Sequence, residues 1–200
     1  VSFGQVSTLL LRELYARNPS SLKPLFLIGD KPDLASQSGD AHFFNWLEKC
    51  INSAYTHHTR EIPCFKLWHL NGGFESLSKV HNLITFYELD SPTESEKNVA
   101  KSVNNLLVTS EYTKDVFENL NIKSKVIPLA FDKYNFKKID KQYFEDDRIT
   151  FNLCGKFENR KNHKKIIQSW VKKYGNNPKY SLQCAVYNPF LPEPQNKQLF

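Results

Sequence analysis

Residues 149–167 read ITFNLCGKFENRKNHKKII, and this stretch predicts the fold of the region around it. A short apolar run at 149–153 has the length of one buried strand, and apolar residues recur at helical spacing from 166 to 174. Between them stands a glycine followed by a turn in which five of ten residues are lysine or arginine. We predict a strand at 149–153 and a helix at 162–174 that stops at Gly175.

The same alternation of strand and helix patterns covers the rest of the chain. Further strands are predicted at 25–28, 64–68, 83–87, 106–109, 125–129 and 180–186. Further helices are predicted at 6–16, 43–54, 74–80 and 112–119, and another begins at Thr93, which forms a capping box with Glu96. Alternation at this spacing is typical of an α/β fold with parallel sheets.

This alternation also predicts the domain organisation. We predict a Rossmann-like first domain with a parallel sheet at 1–132, a linker at 133–148, and the opening β-α-β of a second Rossmann-like domain at 149–200. The chain contains no methionine and opens almost directly into a helix. We therefore expect that the first domain lacks its first strand. A single β-α-β cannot bury a two-layer core, so we expect that the second domain is truncated as well.

Composition excludes several classes of protein. Hydrophobic residues make up 40% of the 200 residues, which is enough for a buried core, yet no apolar run approaches the roughly 20 residues that cross a bilayer. The first residues lack the basic segment of a signal peptide. The four cysteines form no CxxC pair and no metal-ligand spacing, so we predict free thiols in a reducing compartment and a cytoplasmic location. They are Cys50, Cys64, Cys154 and Cys184.

Positive charge is concentrated around the basic turn. Twelve lysines and arginines and only five acids lie between 133 and 173, while the whole chain carries a net charge of +6. Such a surplus favours a phosphate-bearing partner. A solvated basic face explains the same charge equally well, so charge alone leaves the two interpretations open.

The position of the basic turn favours phosphate binding. Parallel α/β sheets bind ligands beyond the carboxyl ends of their strands, where a helix start presents unpaired N–H groups and a positive dipole end. Gly155 permits a tight turn, Lys156 leaves the strand end, and Lys161 precedes the helix with Asn162 as its predicted N-cap. The spacing matches neither a Walker loop nor GxGxxG. We predict that Gly155, Lys156 and Lys161 bind a diphosphate.

The turn also resembles a known motif. GKFENRKN at 155–162 is similar to the donor-phosphate motif G-R-x-x-x-x-K-[GN] of the GT-B-fold retaining glycosyltransferases of family four, the glycosyl transferases group one. Lys156 replaces the family's arginine, which keeps the charge but loses the bidentate fork. Three more segments match in order. VIPLAFD at 126–132 resembles the family's domain junction, VTSEYT at 108–113 resembles the segment before it, and SFGQVS at 2–7 resembles the glycine loop near the donor phosphates.

The resemblance implies a function. A hexosyltransferase-like enzyme would move a sugar from a nucleotide-diphosphate sugar to a carbohydrate, lipid or protein acceptor, with retention and without a bound metal or other cofactor. Gly4, Gly155, Lys156 and Lys161 would hold the donor diphosphate, and the first domain would hold the acceptor. The family's acidic E-x7-E element would lie beyond Phe200, so we expect this chain to be inactive alone. Peripheral membrane contact stays open.

The resemblance also suggests catalytic residues at strand ends of the first domain. Thr85-Phe86-Tyr87 corresponds to a strand end that often reads T-[VF]-H in the family, where the histidine faces the transferred sugar. Tyr87 and Glu88 are therefore the catalytic candidates. His69, Asp90 and Ser110 also follow predicted strands, where loops carry sites, and are acceptor-side candidates. The acids could equally decorate a loop.

Two alternatives remain open. A GT-B relative could bind a sugar or nucleotide without transferring it, since tyrosine replaces the histidine at 87. A nucleic-acid-binding module could use the basic span 156–173, and its affinity would then fall steeply with salt. No reader motif is visible and the aromatic residues, among them Trp46, Trp68 and Trp170, are predicted to lie in the core, so we expect no nucleic-acid partner.

Overall fold

The computed structural model describes residues 2–17, 25–26, 39–72, 78–134, 136–138, 140, 147–188 and 190–198. The chain divides into two compact units, Val1–Lys137 and Lys138–Phe200. The division lies inside the segment 133–148 that the sequence predicts as a linker. Residues 25–26 carry no strand. The rest of that predicted strand, 27–28, and most of the predicted helix at 74–80 lie outside the described residues.

A four-stranded parallel sheet forms the centre of the first unit. Its strands are β1 (Cys64–Leu67), β2 (His81–Thr85), β3 (Asn105–Val108) and β4 (Lys125–Val126), paired in that order. All three pairings are parallel, as the alternating pattern predicts. β4 is shorter than the predicted strand 125–129, although the Ile127 N–H still donates to the Val108 carbonyl at 2.8 Å.

The described residues of the first unit contain four α-helices, and side-chain caps begin three of them. They are α1 (Ser2–Arg17), α2 (Ala41–His57), α3 (Glu94–Ser102) and α4 (Glu111–Glu118). Asp40 accepts a hydrogen bond from the Phe43 N–H at the start of α2. The predicted capping box of α3 is confirmed, because the Thr93 side chain accepts from the Glu96 N–H while the Glu96 carboxylate accepts from the Thr93 N–H.

The core of this unit lies where β2 and β3 meet α3 and α4. Leu83, Val108, Val99 and Phe117 are fully buried there, one from each of these four elements. Strands buried on both faces read as continuous apolar runs, which is why β3 is recognisable in the sequence as NLLV. Trp68 departs from the core prediction, since 43% of its surface is exposed.

The second unit is a parallel β-α-β. β5 (Ile149–Lys156) pairs with β6 (Tyr180–Tyr187) in a sheet separate from β1–β4, and α5 (His163–Tyr174) connects them. A 3-10 turn at Asn159–Lys161 leads into α5, and a short helix, α6 (Glu193–Lys197), follows β6. Asn162 stands at the predicted N-cap position, but its backbone is left-handed and its side chain makes no capping bond.

Few side chains of the second unit are well buried. Its aromatic rings pack together, with Tyr174 in ring contact with both Phe151 and Tyr180. Among the residues described between 147 and 198, no apolar side chain is fully buried, and the two best-buried side chains are His163 and Asn196. Asn196 is well satisfied by bonds to the backbone of Asn188 and Leu191. A histidine is therefore the most buried side chain among the described residues of this unit.

Across the helices of the described residues, none combines the length and apolar character needed to cross a lipid bilayer.

Candidate functional site

The backbone at the end of β5 has a conformation that only glycine adopts readily. Gly155 has a φ of +136°, in the region that L side chains rarely occupy. A Cβ placed on it would lie 3.4 Å from Lys161 Nζ and 3.8 Å from His163 Nε2. The structure thus brings together two of the predicted diphosphate residues, and it adds a histidine that the sequence analysis does not single out.

The carboxylate of Glu158 forms ion pairs with three basic side chains of the turn. Lys156 Nζ lies 2.9 Å from Glu158 Oε2, while Arg160 Nη2 and Lys161 Nζ lie 3.0 and 3.7 Å from Oε1. Three cations share one anion, so the cluster keeps a surplus of two positive charges. The sequence analysis missed Glu158. The available signal was an acid in the middle of a basic run, two residues from both Lys156 and Arg160.

The ion pairs hold Glu158 in its charged form. The hydrogen bond from Lys156 is the main reason that the pKa of Glu158 lies below its ordinary value, and the charges of Arg160 and Lys161 act in the same direction. Oε1 nevertheless receives no well-aligned hydrogen bond, although Arg160 is at ion-pair distance. Arg160 and Lys161 are therefore held near Glu158 by charge, and the carboxylate does not use up their hydrogen-bonding capacity.

The start of α5 adds backbone donors to the same edge. No side chain caps this helix, so the N–H groups of its first turn, 163–165, lack the usual capping acceptor. The positive end of a helix dipole adds to their effect on an anion. Lys156 lies on the other side of the cluster, with its ammonium 4.9 Å from the centre of the Phe190 ring.

The structure places Tyr87 in the core of the first unit. Only 8% of its surface is exposed, and its ring packs against Phe117 at 5.4 Å. Its hydroxyl is buried without a hydrogen-bond partner, and burial, with a smaller contribution from Glu96 and Asp90, raises its pKa to about 12. β2 ends at Thr85, two residues before the predicted end. The Tyr87 hydroxyl could reach a sugar only after the surrounding residues moved.

The other candidates of the first unit lie on its surface or at helix starts. Glu88 and Asp90 are exposed in the loop between β2 and α3. His69 is exposed after β1, with its ring 4.5 Å from that of Phe3. Ser110 caps α4 by accepting a hydrogen bond from the Thr113 N–H, which gives it a structural role.

Gly4 lies in the first turn of α1, and packing does not explain the glycine there. A Cβ at this position would meet no atom within 4 Å. Gly4 belongs to the first unit, whereas Gly155 belongs to the second.

Tyr87→Phe is expected to raise the free energy of unfolding by about 1 kcal/mol, because it removes a buried hydroxyl that has no partner. Urea unfolding followed by circular dichroism measures this. Tyr134→Phe is the matched control, since the Tyr134 hydroxyl donates to Glu13 Oε1 at 3.0 Å and its loss should destabilise. A Tyr87→Phe chain less stable than the parent would show that the hydroxyl has a partner.

The described residues contain no group of three or more His, Cys, Asp or Glu side chains placed to hold a metal ion. No protein-family model, curated protein or solved structure matches this chain. The parallel α/β architecture of the first unit is compatible with a Rossmann-like fold. The sequence motifs are therefore the basis of the family resemblance, and the distances around Gly155 are the basis for assigning an anion to the turn.

Proposed function

We propose that this chain is part of a glycosyltransferase with a GT-B fold and that the turn 155–161 binds the diphosphate of a nucleotide-diphosphate sugar. The observation that carries the proposal is the arrangement around Gly155. There a bare glycine with positive φ, the Lys161 ammonium and an uncapped helix start meet at the carboxyl end of a parallel strand. This is the edge at which α/β sheets bind ligands.

The charge of the cluster suits a diphosphate. After Glu158 is neutralised, two positive charges remain on side chains whose positions that carboxylate fixes. Holding donors in place before the ligand arrives reduces the ordering that binding requires. A group with two or three negative charges would neutralise this surplus of positive charge more fully than a single carboxylate would.

The same arrangement would assist transfer of the sugar. When the bond between the sugar and the diphosphate breaks, negative charge develops on the leaving diphosphate. Fixed donors aimed at that charge stabilise the transition state more than the ground state. In this proposal Lys156 and Lys161 supply the charge. Glu88 stays the catalytic candidate of the first unit, and His69 and Asp90 stay its acceptor-side candidates.

Lys161→Ala is expected to weaken binding of inorganic pyrophosphate and of nucleoside diphosphates by about 10- to 100-fold, the usual effect of losing a charged hydrogen bond. Isothermal titration calorimetry of the 200-residue chain at low salt measures the affinities. Lys172→Ala is the matched control, because it removes the same charge from the last turn of α5. Equal affinities for the two variants would remove the phosphate assignment.

A second candidate is a GT-B relative that binds a sugar nucleotide without transferring the sugar. The burial of Tyr87 favours it, because the position that carries a histidine in the resembled family does not reach solvent here. Release of nucleoside diphosphate from a sugar-nucleotide donor by the full-length protein distinguishes the two. An enzyme releases it in proportion to protein concentration, whereas a binding protein retains the donor intact.

The nucleic-acid alternative receives less support from the geometry. Lys156, Arg160 and Lys161 converge on one carboxylate and do not form an open row along a surface. A row is what tracking of a phosphate backbone requires.

A further inference from the structure

We propose that His163 is a third phosphate ligand of the turn, one that donates from Nε2 to the same phosphate group as Lys161. The inference rests on the proposed function, because it assigns a further ligand to that site. The motif that the turn resembles gives this position no role, so the assignment comes from the geometry alone.

The first argument is the burial of His163. Only 3% of its surface is exposed, yet Nδ1 is buried without a hydrogen-bond partner. A polar atom in this situation costs free energy, and native structures hold few of them without a reason. Leucine or phenylalanine would fill the same space beside Phe157, whose ring lies 5.4 Å away, without that cost. Packing alone therefore does not account for a histidine here.

The second argument is the direction of the ring. Nε2 is the His163 atom nearest to the bare face of Gly155, and it lies within 4 Å of the point where a Cβ would stand. Lys161 Nζ lies within 4 Å of the same point. The two side chains make no hydrogen bond to each other, so two nitrogen groups converge on one position without an acceptor between them.

The third argument concerns the proton. A neutral imidazole carries its proton on one nitrogen, and the surroundings decide which. A proton on Nδ1 would leave a buried N–H unpaired. A proton on Nε2 leaves Nδ1 as an unpaired acceptor, and it gives a donor on the side of the ring nearest Gly155. In the proposal one phosphate oxygen accepts from Nε2 and from Lys161, and the other oxygens of the phosphate are available to the N–H groups that begin α5.

Gly155 completes the arrangement. A Cβ at 155 would stand in van der Waals contact with Lys161 Nζ and His163 Nε2. The missing Cβ therefore keeps the approach to both groups open, in addition to permitting the positive φ. In this interpretation Gly155, Lys161 and His163 form one cradle, whereas Lys156 lies beside Glu158 and Phe190.

The test compares two substitutions of His163 in the 200-residue chain, with inorganic pyrophosphate as the probe. His163→Leu removes the donor and keeps an apolar side chain, and we expect it to weaken pyrophosphate binding about tenfold. His163→Gln places an amide N–H near the position of Nε2, and we expect it to bind within threefold of the parent. A purely structural histidine predicts the reverse order, since leucine suits a buried site better than glutamine.

Nitrogen NMR of the parent chain gives a direct readout of contact between a histidine and pyrophosphate. Pyrophosphate should shift the Nε2 resonance of one of the six histidines, and the His163→Gln chain should lack that resonance. If the parent binds pyrophosphate and Lys161→Ala weakens that binding, but no histidine resonance moves, then His163 is not a ligand and the proposed function stands. If the parent binds no pyrophosphate, both proposals fail.

Discussion

Gly155→Ala is expected to abolish measurable pyrophosphate binding and to destabilise the second unit. Alanine at a φ of +136° is strained by about 1–3 kcal/mol whatever space surrounds it. Its Cβ would in addition stand in van der Waals contact with Lys161 Nζ, at 3.4 Å, and with His163 Nε2, at 3.8 Å, and would narrow the approach of an anion to both groups. A backbone shift that relieved the strain would move the end of β5 relative to these two groups, so we expect either outcome to impair binding.

The matched control is Cys154→Ala on the same strand. Cys154 is exposed and its replacement keeps the backbone of β5 unchanged. Calorimetric titration with pyrophosphate and urea unfolding of both chains make the comparison. A Gly155→Ala chain that binds as well as Cys154→Ala would show that the conformation at 155 is not part of the site.

Phe117→Ala is expected to lower the free energy of unfolding of the first unit by about 3–5 kcal/mol, the usual cost of removing a large aromatic side chain from a core. Phe117 has no exposed surface, belongs to the central cluster of buried residues and touches the ring of Tyr87. Typical domains are stable by about 5–15 kcal/mol, so this loss is a large fraction of the total. Amide hydrogen exchange in β2 and β3, together with urea unfolding, measures it.

Phe136→Ala serves as the control for Phe117→Ala. It deletes the same atoms in the same unit, but 62% of the Phe136 surface is exposed. We expect a change within about 0.5 kcal/mol for this substitution. Similar losses from both substitutions would mean that the helix α4 does not pack on the sheet as described.

The strands of the first unit could be predicted where their signal is local. β3 is an apolar run between turn residues, and its observed start lies one residue before the predicted one. The observed β2 begins and ends two residues before the predicted strand 83–87, because His81 and Asn82 pair with β1 in spite of their polar side chains. The His81 N–H also donates to the Asn104 side chain at 2.7 Å, a partner that sequence periodicity does not reveal.

The position of Tyr87 depended on a contact between distant parts of the chain. The Thr113 hydroxyl donates to the Tyr87 carbonyl at 2.8 Å, and this bond joins the segment after β2 to α4. Twenty-six residues separate the two partners. The pattern of residues at the end of a strand does not reveal such a bond, and it does not show whether the Tyr87 side chain is buried or exposed.

The sequence by itself determined the alternation of strands and helices, the capping box at Thr93 and the spacing of Gly155, Lys156 and Lys161. These features extend over a few residues, so hydrogen-bonding periods and backbone preferences are enough to specify them. Only the tertiary structure decided that Glu158 would collect three cations, that Tyr87 would be buried and that His163 would lie under Gly155. Side-chain direction and burial depend on which elements pack together, and the hydrogen bond of the Phe157 N–H to the Tyr187 carbonyl that joins the turn to β6 spans thirty residues.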